Sequence, residues 1–67
     1  MPKTRLGMNL KRLREKKGFT QNQLAKKAGM ARVSEARIEA GIRKDPPVSV
    51  CKRLAKALGV PITELID

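Results

Sequence analysis

The stretch that most constrains this chain lies between positions 20 and 41, TQNQLAKKAGMARVSEARIEAG, where helix start and stop signals recur too closely for anything but two brief helices. Thr20 and Gln23 have the spacing of a capping box: the Thr20 hydroxyl accepts from the Gln23 amide while the Gln23 side chain reaches back to the Thr20 amide. Leu24, Ala25 and Ala28 follow as an apolar stripe, and Gly29 stands where a helix C-terminus needs positive φ. The spacing predicts a first helix over 21–28. After a break at Gly29, Met30 and Ala31, a second helix is expected over 32–40, closing at Gly41. Its Ile38 turns inward, and Arg32, Val33, Ala36 and Arg37 fall on another face.

The rest of the chain reads as support for this pair. Leu6, Leu10 and Leu13 recur at i, i+4, i+7 and predict an amphipathic helix over 6–17, with Lys11, Arg12, Glu15 and Lys16 left for solvent. Gly18 ends it, Lys16 and Lys17 suit the negative end of its dipole, and Phe19 serves as the hydrophobic staple of the next helix. Residues 42–47 form a loop by their prolines, with Arg43 and Lys44 at its start. Val48, Cys51, Leu54, Ala55 and Leu58 then predict a helix over 47–58, stopped by Gly59, and Pro61 opens a short last helix over 61–66. Residues 1–5, carrying Lys3 and Arg5, have no periodicity and read either as a frayed terminus or as a flexible basic arm on phosphates. Two short helices joined at a glycine make a helix-turn-helix, whose second helix can enter a DNA major groove. The expectation is therefore one all-α domain over 1–67, a compact five-helix bundle around a central helix-turn-helix.

Charge narrows the partner. Sixteen Lys and Arg against six Asp and Glu leave a formal net charge of +10, which calls for a polyanion. Anionic membrane fits poorly, because no apolar run approaches the roughly 18 residues of a spanning helix and Trp anchors are lacking. The basic N-terminus has no apolar h-region, so a signal peptide is not expected, and a cytoplasmic, nucleoid-associated location is. Phe19 is the only aromatic residue, whereas single-strand binders stack bases on several rings, so duplex DNA is favoured. A chain of this length buries only about 60% of its unfolded surface, which leaves little room for a deep catalytic pocket. It has no histidine, no Gly-rich phosphate loop and no usefully spaced carboxylate pair, so a non-enzyme is expected. With one cysteine and no histidine, neither a zinc site nor any other metal or cofactor site is expected. Cys51 reads as a small buried apolar residue, the alternatives being an intermolecular disulfide or a redox sensor.

The ordered set Gln21, Leu24, Ala25, Gly29, Ile38, Glu39 and Gly41 is similar to the phage-repressor, Cro and XRE-type helix-turn-helix domain. Leu13-Arg14 before it and Leu54-Ala55-Lys56-Ala57-Leu58-Gly59-Val60 after it also fit, so the resemblance covers about residues 6 to 66. It implies a sequence-specific, double-stranded DNA-binding transcriptional regulator of repressor type.

The resemblance also implies roles. Arg32, Val33, Ala36 and Arg37 match base-facing positions, where arginine can donate twice to guanine and the apolar pair can touch a thymine methyl. The alternative is that both arginines sit on phosphates. Gln21 matches a phosphate-binding brace, with Thr20, Asn22, Ser34, Arg43 and Lys44 as further phosphate contacts. Arg14 and Glu39 match a buried structural ion pair, the alternative being two solvated charges. Such domains generally pair two reading heads, here through Ile62, Leu65 and Ile66 as a homodimer contact. An antitoxin-type interaction module with a toxin partner and secondary DNA binding is the alternative function, although the chain ends at Asp67 without an extra partner segment. Two residues depart from the pattern. Glu35 stands where Ile or Val is usual, so its carboxylate must find a partner, snorkel outward or rotate the helix. Ala31 replaces the usual Ser or Thr cap, at a cost of about 1 kcal/mol.

Overall fold

Thr4 opens the described chain, residues 4–66 of the computed structural model, by capping α1 (Arg5–Lys16): its hydroxyl accepts from the Gly7 amide at 2.9 Å. This corrects the expected arm at Thr4 and Arg5. Thr4 satisfies one of the helix's orphan amides and Arg5 is its first residue, while residues 1–3 lie outside the described ones. α2 (Gln21–Ala28) carries both halves of its capping box, the Gln23 amide on Thr20 Oγ1 at 3.1 Å and the Thr20 amide on Gln23 Oε1 at 2.9 Å. Gly29, at φ 71°, reverses the chain, and the Met30 amide closes the turn on the Ala25 carbonyl at 2.9 Å.

α3 (Arg32–Glu39) starts from Ala31, which gives no side-chain cap, and ends one residue earlier than expected, with Ala40 as its C-cap. Gly41, at φ 79°, lets its own amide reach the Ile38 carbonyl at 3.1 Å and the Ile42 amide reach that of Arg37 at 3.0 Å, a Schellman closure. α4 (Val48–Leu58) begins after Pro47 rather than at it, because ψ 152° places Pro47 in extended backbone as the N-cap. α5 (Thr63–Ile66) is shorter than the expected 61–66: Pro61 and Ile62 only supply the carbonyls that Glu64, Leu65 and Ile66 donate to. Among the described residues, the all-α, five-helix architecture read from the sequence is the one observed.

The buried faces converge on Leu10, Leu13, Leu24, Ile38, Leu54, Leu58 and Leu65, with Phe19, Met30 and Ile62 half-buried at the margin. Burying each such side chain contributes about 1.5–3 kcal/mol. α2 packs against both α3 and α4, and α1 packs against α3 and α5, so the helix-turn-helix is supported from two sides. Asn9 of α1 donates to the Leu65 carbonyl at 2.8 Å and fixes α5 in place. Leu65 itself is 0% exposed inside this chain's own core, so it is not available as a dimer contact; Ile62 is half-buried and Ile66 is 52% exposed. Cys51 is buried on α4, and burial pushes its thiol pKa up, away from reactivity.

A residue with no side chain lets α1 and α3 come close together. A Cβ built on Gly7 would lie 2.5 Å from the Ile38 carbonyl oxygen and 2.7 Å from that of Glu39, so α1 and the last turn of α3 touch backbone to backbone. In an ordinary helix interior, Gly→Ala stabilises by about 0.5–1 kcal/mol. Here the sign reverses: Gly7→Ala is expected to destabilise by about 1–3 kcal/mol through overpacking against backbone that cannot yield locally. A urea or thermal melt checks this, with a fall in Tm of about 4–8 °C per kcal/mol; an unchanged or raised Tm would show that the two helices are not in this contact.

Candidate nucleic-acid interface

α3 sorts its side chains by its helical period. Glu35, Ile38 and Glu39 are buried; Arg32, Val33 and Arg37 are exposed; Ser34 and Ala36 are half-buried at the borders. Val33 is 50% exposed, a large apolar side chain left in water on the same outward face as Arg37. The remaining site residues fall around this helix. Thr20 and Asn22 are exposed at the start of α2, where the first amides of the helix have no intrahelical acceptor and the dipole is positive. Arg43 and Lys44 are exposed beyond the other end of α3, held there because the Arg43 amide donates to the Arg37 carbonyl at 3.1 Å. An open groove lined by Lys11, Gln21, Ala36, Glu39 and Ala40 runs beside α3. Lys11, assigned only to solvent by its sequence position, therefore shares a groove with Gln21 and Ala36; only the α1–α3 packing, which no local pattern encodes, reveals it.

Gln21 points partly inward. Its Nε2 donates to Glu39 Oε1 at 3.3 Å, so in the free protein it braces the end of α3. Glu39 also receives Arg14 in a two-pronged contact, Nε to Oε2 at 2.7 Å and Nη2 to Oε1 at 3.2 Å, while Arg14 Nη1 donates to the Phe19 carbonyl at 2.8 Å. The hydrogen bond to Glu39 is the main reason the Arg14 pKa is raised. Burial alone would push Glu39 up; the neighbouring Glu35 carboxyl, Arg14 and Gln21 outweigh it and hold Glu39 below the usual carboxylate range.

Glu35 takes none of the three courses its sequence position suggests. It is 0% exposed, and neither carboxyl oxygen has a hydrogen-bond partner. Burial, then the adjacent Glu39, push its pKa up to about 9, against a small opposing effect of Arg14. The neighbouring Glu39 carboxylate favours the protonated form of Glu35, and the protonated Glu35 in turn favours the charge on Glu39. Glu35 is thus a neutral acid at pH 7, and the helix neither rotates nor exposes it.

This sets a pH dependence with a definite sign. Glu35's folded pKa lies above its ordinary 4.5, so between about 4.5 and 9 the unfolded chain has lost a proton that the folded chain keeps. Stability contributed by this group falls as pH rises through that window. Glu39, whose folded pKa is lowered, acts in the opposite sense and at lower pH: its contribution is present above 4.5 and is lost as pH falls through its folded pKa. Glu35→Leu is expected to raise stability at pH 7 by about 1–3 kcal/mol, by removing an unsatisfied buried group, and to flatten the profile between about 4.5 and 9. Urea titrations across pH check this; a variant that is less stable at pH 7 would mean that the carboxyl has a partner.

Known proteins share this fold. The sequence model of the helix-turn-helix family matches residues 10–65. The transcriptional regulator SlrR of Bacillus subtilis is 34% identical over 62 residues, covering 92% of this chain and 41% of the relative, and the transcriptional repressor RghR of the same organism is 40% identical over 60 residues, covering 90% and 44%. The chain thus spans less than half the length of either. Among solved structures, the restriction-modification controller protein C.AhdI from Aeromonas hydrophila superposes with a TM-score of 0.87 at 33% identity, over 91% of each chain. The N-terminal DNA-binding domain of SinR from Bacillus subtilis does so with 0.88 at 29% identity, over 92% of this chain and 90% of that one. A match across nearly the whole chain, with the same five-helix fold, places this protein in the Cro/C1/XRE-type helix-turn-helix family.

Proposed function

We propose that this chain is a sequence-specific, double-stranded DNA-binding transcriptional regulator of repressor type, with α3 in the major groove. The observation that carries the reading is the exposed face of α3, where Arg32, Val33 and Arg37 stand clear of the core, bordered by half-buried Ala36. Around it lie the cations and polar groups suited to phosphate: Thr20, Gln21 and Asn22 before it, Ser34 at its border, Arg43 and Lys44 after it. Arg32 and Arg37 read guanine edges, Val33 and Ala36 give apolar contact, and the others set register. Gln21 has two amide hydrogens, so the one it gives Glu39 leaves another for a phosphate. The relatives are named as transcriptional regulators, a repressor and a controller protein, which favours regulation over neutralisation of a toxin and binding over catalysis.

The protein acts as a homodimer in this reading, its half-sites one turn apart, roughly 34 Å between centres. Ile66 and the edge of Ile62 supply the contact, since Leu65 is occupied within the core. Among the described residues no helix is long and apolar enough to cross a membrane, and we place the protein in the cytoplasm at the nucleoid.

Selection of bound sequences from a random duplex pool tests the proposal. The expected result is a two-fold symmetric motif bound about 10³-fold or more above a scrambled duplex. Arg37→Ala should relax preference at one base pair by about 1–3 kcal/mol. Lys44→Ala should weaken all sequences alike and lower the salt slope by about 0.9. Equal losses for every sequence in both variants would remove Arg37 from the reading set, and the absence of any motif would overturn the proposal.

A further inference from the structure

α2 carries charge on its other side as well. Lys27, Arg53 and Lys56 line one cleft between α2 and α4, with buried Ala28 and half-buried Ala57 between them, and Lys26 is exposed beside it. Neither helix contains an acidic residue, and among the described residues none of these four cations forms a salt bridge. Lys27 alone has a partner, the Phe19 ring, its Nζ 5.3 Å from the centroid. Lys26, Lys27 and Lys56 complement the negative ends of their helices, but Arg53, in the middle of α4, has no such role. Four unneutralised cations around one cleft repel one another, and a polyanion relieves that repulsion.

The DNA proposed for α3 meets these two helices at their other ends. It meets α2 at Gln21 and approaches α4 through the Arg43–Lys44 loop that precedes Val48. At about 1.5 Å per residue, Lys26 and Lys27 lie about 7.5 and 9 Å behind the first of these ends, and Arg53 and Lys56 about 7.5 and 12 Å behind the second. These distances are about a Debye length at physiological salt. The occupant is more sharply defined by what the cleft lacks. The large exposed apolar residues are Met8, Val33, Ile42, Val48 and Ile66, and none lines it. A protein partner needs an apolar or aromatic anchor, whereas a duplex backbone needs only cations.

We propose that the α2–α4 cleft grips the phosphate backbone of a second DNA duplex, so that the protein bridges two segments; this rests on the reading of α3 as the holder of the first. The test loads the full chain onto a mixed-sequence duplex fixed to beads, washes, and offers a fluorescent duplex of unrelated sequence. The comparison is with a triple variant, Lys27→Gln, Arg53→Gln and Lys56→Gln, whose fold is checked by circular dichroism. Wild type should capture the second duplex. The variant should hold the first within about 2-fold and capture the second roughly 10-fold less at low salt, its capture losing about 2.7 from the log–log salt slope. Equal capture by the variant, as two α3 heads of a dimer would give, overturns the inference, and so does wild type that holds the first duplex and captures no second. Wild type that fails to hold the first duplex defeats the proposed function itself.

Discussion

Arg14 ties together the three segments on which the proposed reading surface depends. One guanidinium donates twice to Glu39 at the end of α3 and once to the carbonyl of Phe19, the residue that stands just before the α2 cap. Gln21, the first residue of α2, closes the loop by donating to the same Glu39 carboxylate. α3 needs this restraint because its own helix-forming credit is poor. It has eight residues and no side-chain cap, and isolated helices shorter than about 12–15 residues are marginal in water. Its position is therefore a tertiary product, fixed by the charge-assisted contact at Glu39, by Ile38 in the core and by the bare backbone of Gly7 against its last carbonyls. Removing one partner of such a pair costs about 3–5 kcal/mol, a large share of the stability of a domain this small.

Glu35 works against that restraint. A carboxyl with two orphan oxygens sits one helical turn before Glu39, where an aliphatic side chain would pack without cost. Two ionised carboxylates there would repel each other through poorly screening surroundings, and one guanidinium already engaged by Glu39 and the Phe19 carbonyl cannot serve both. Keeping the proton on Glu35 is the cheaper solution, and it leaves Glu39 as the one carboxylate paired with Arg14.

What could be read from the sequence was what short-range chemistry dictates. The capping box at Thr20 and Gln23, the glycines at 29 and 41 and the leucine periodicities of α1 and α4 each act over a few residues, so α2 and the element order were legible. Thr4 was not recognised as a cap because it lies among lysine and arginine, where charge suggests an arm more strongly than a hydroxyl suggests a helix start. Pro47 misled by one residue, since the same ring suits either an N-cap or a first helical position. Gly7, Leu65 and Lys11 owe their roles to partners far away in the chain. Gly7 meets α3, Leu65 lies in the core, and Lys11 shares a groove with Gln21 and Ala36, none of which a periodicity can announce. Glu35 was legible as an anomaly, but its resolution by protonation depends on how completely neighbouring helices exclude water.

That resolution bears on function. α2 and α4 contain no acidic residue, and the only acids of the helix-turn-helix are Glu35 and Glu39, both on α3. In the proposed complex a carboxylate on the outward face of α3 would stand against DNA phosphate, where like charges across an interface are strongly unfavourable. Both acids instead point inward, one with its charge taken up by Arg14 and Gln21 and the other without charge at neutral pH. The outward face keeps only the charges of Arg32 and Arg37, flanked by Arg43 and Lys44. A buried acid that weakens the fold thus leaves the potential of the proposed reading face wholly positive, whereas an ionised, outward-turned Glu35 would weaken the proposed interface instead.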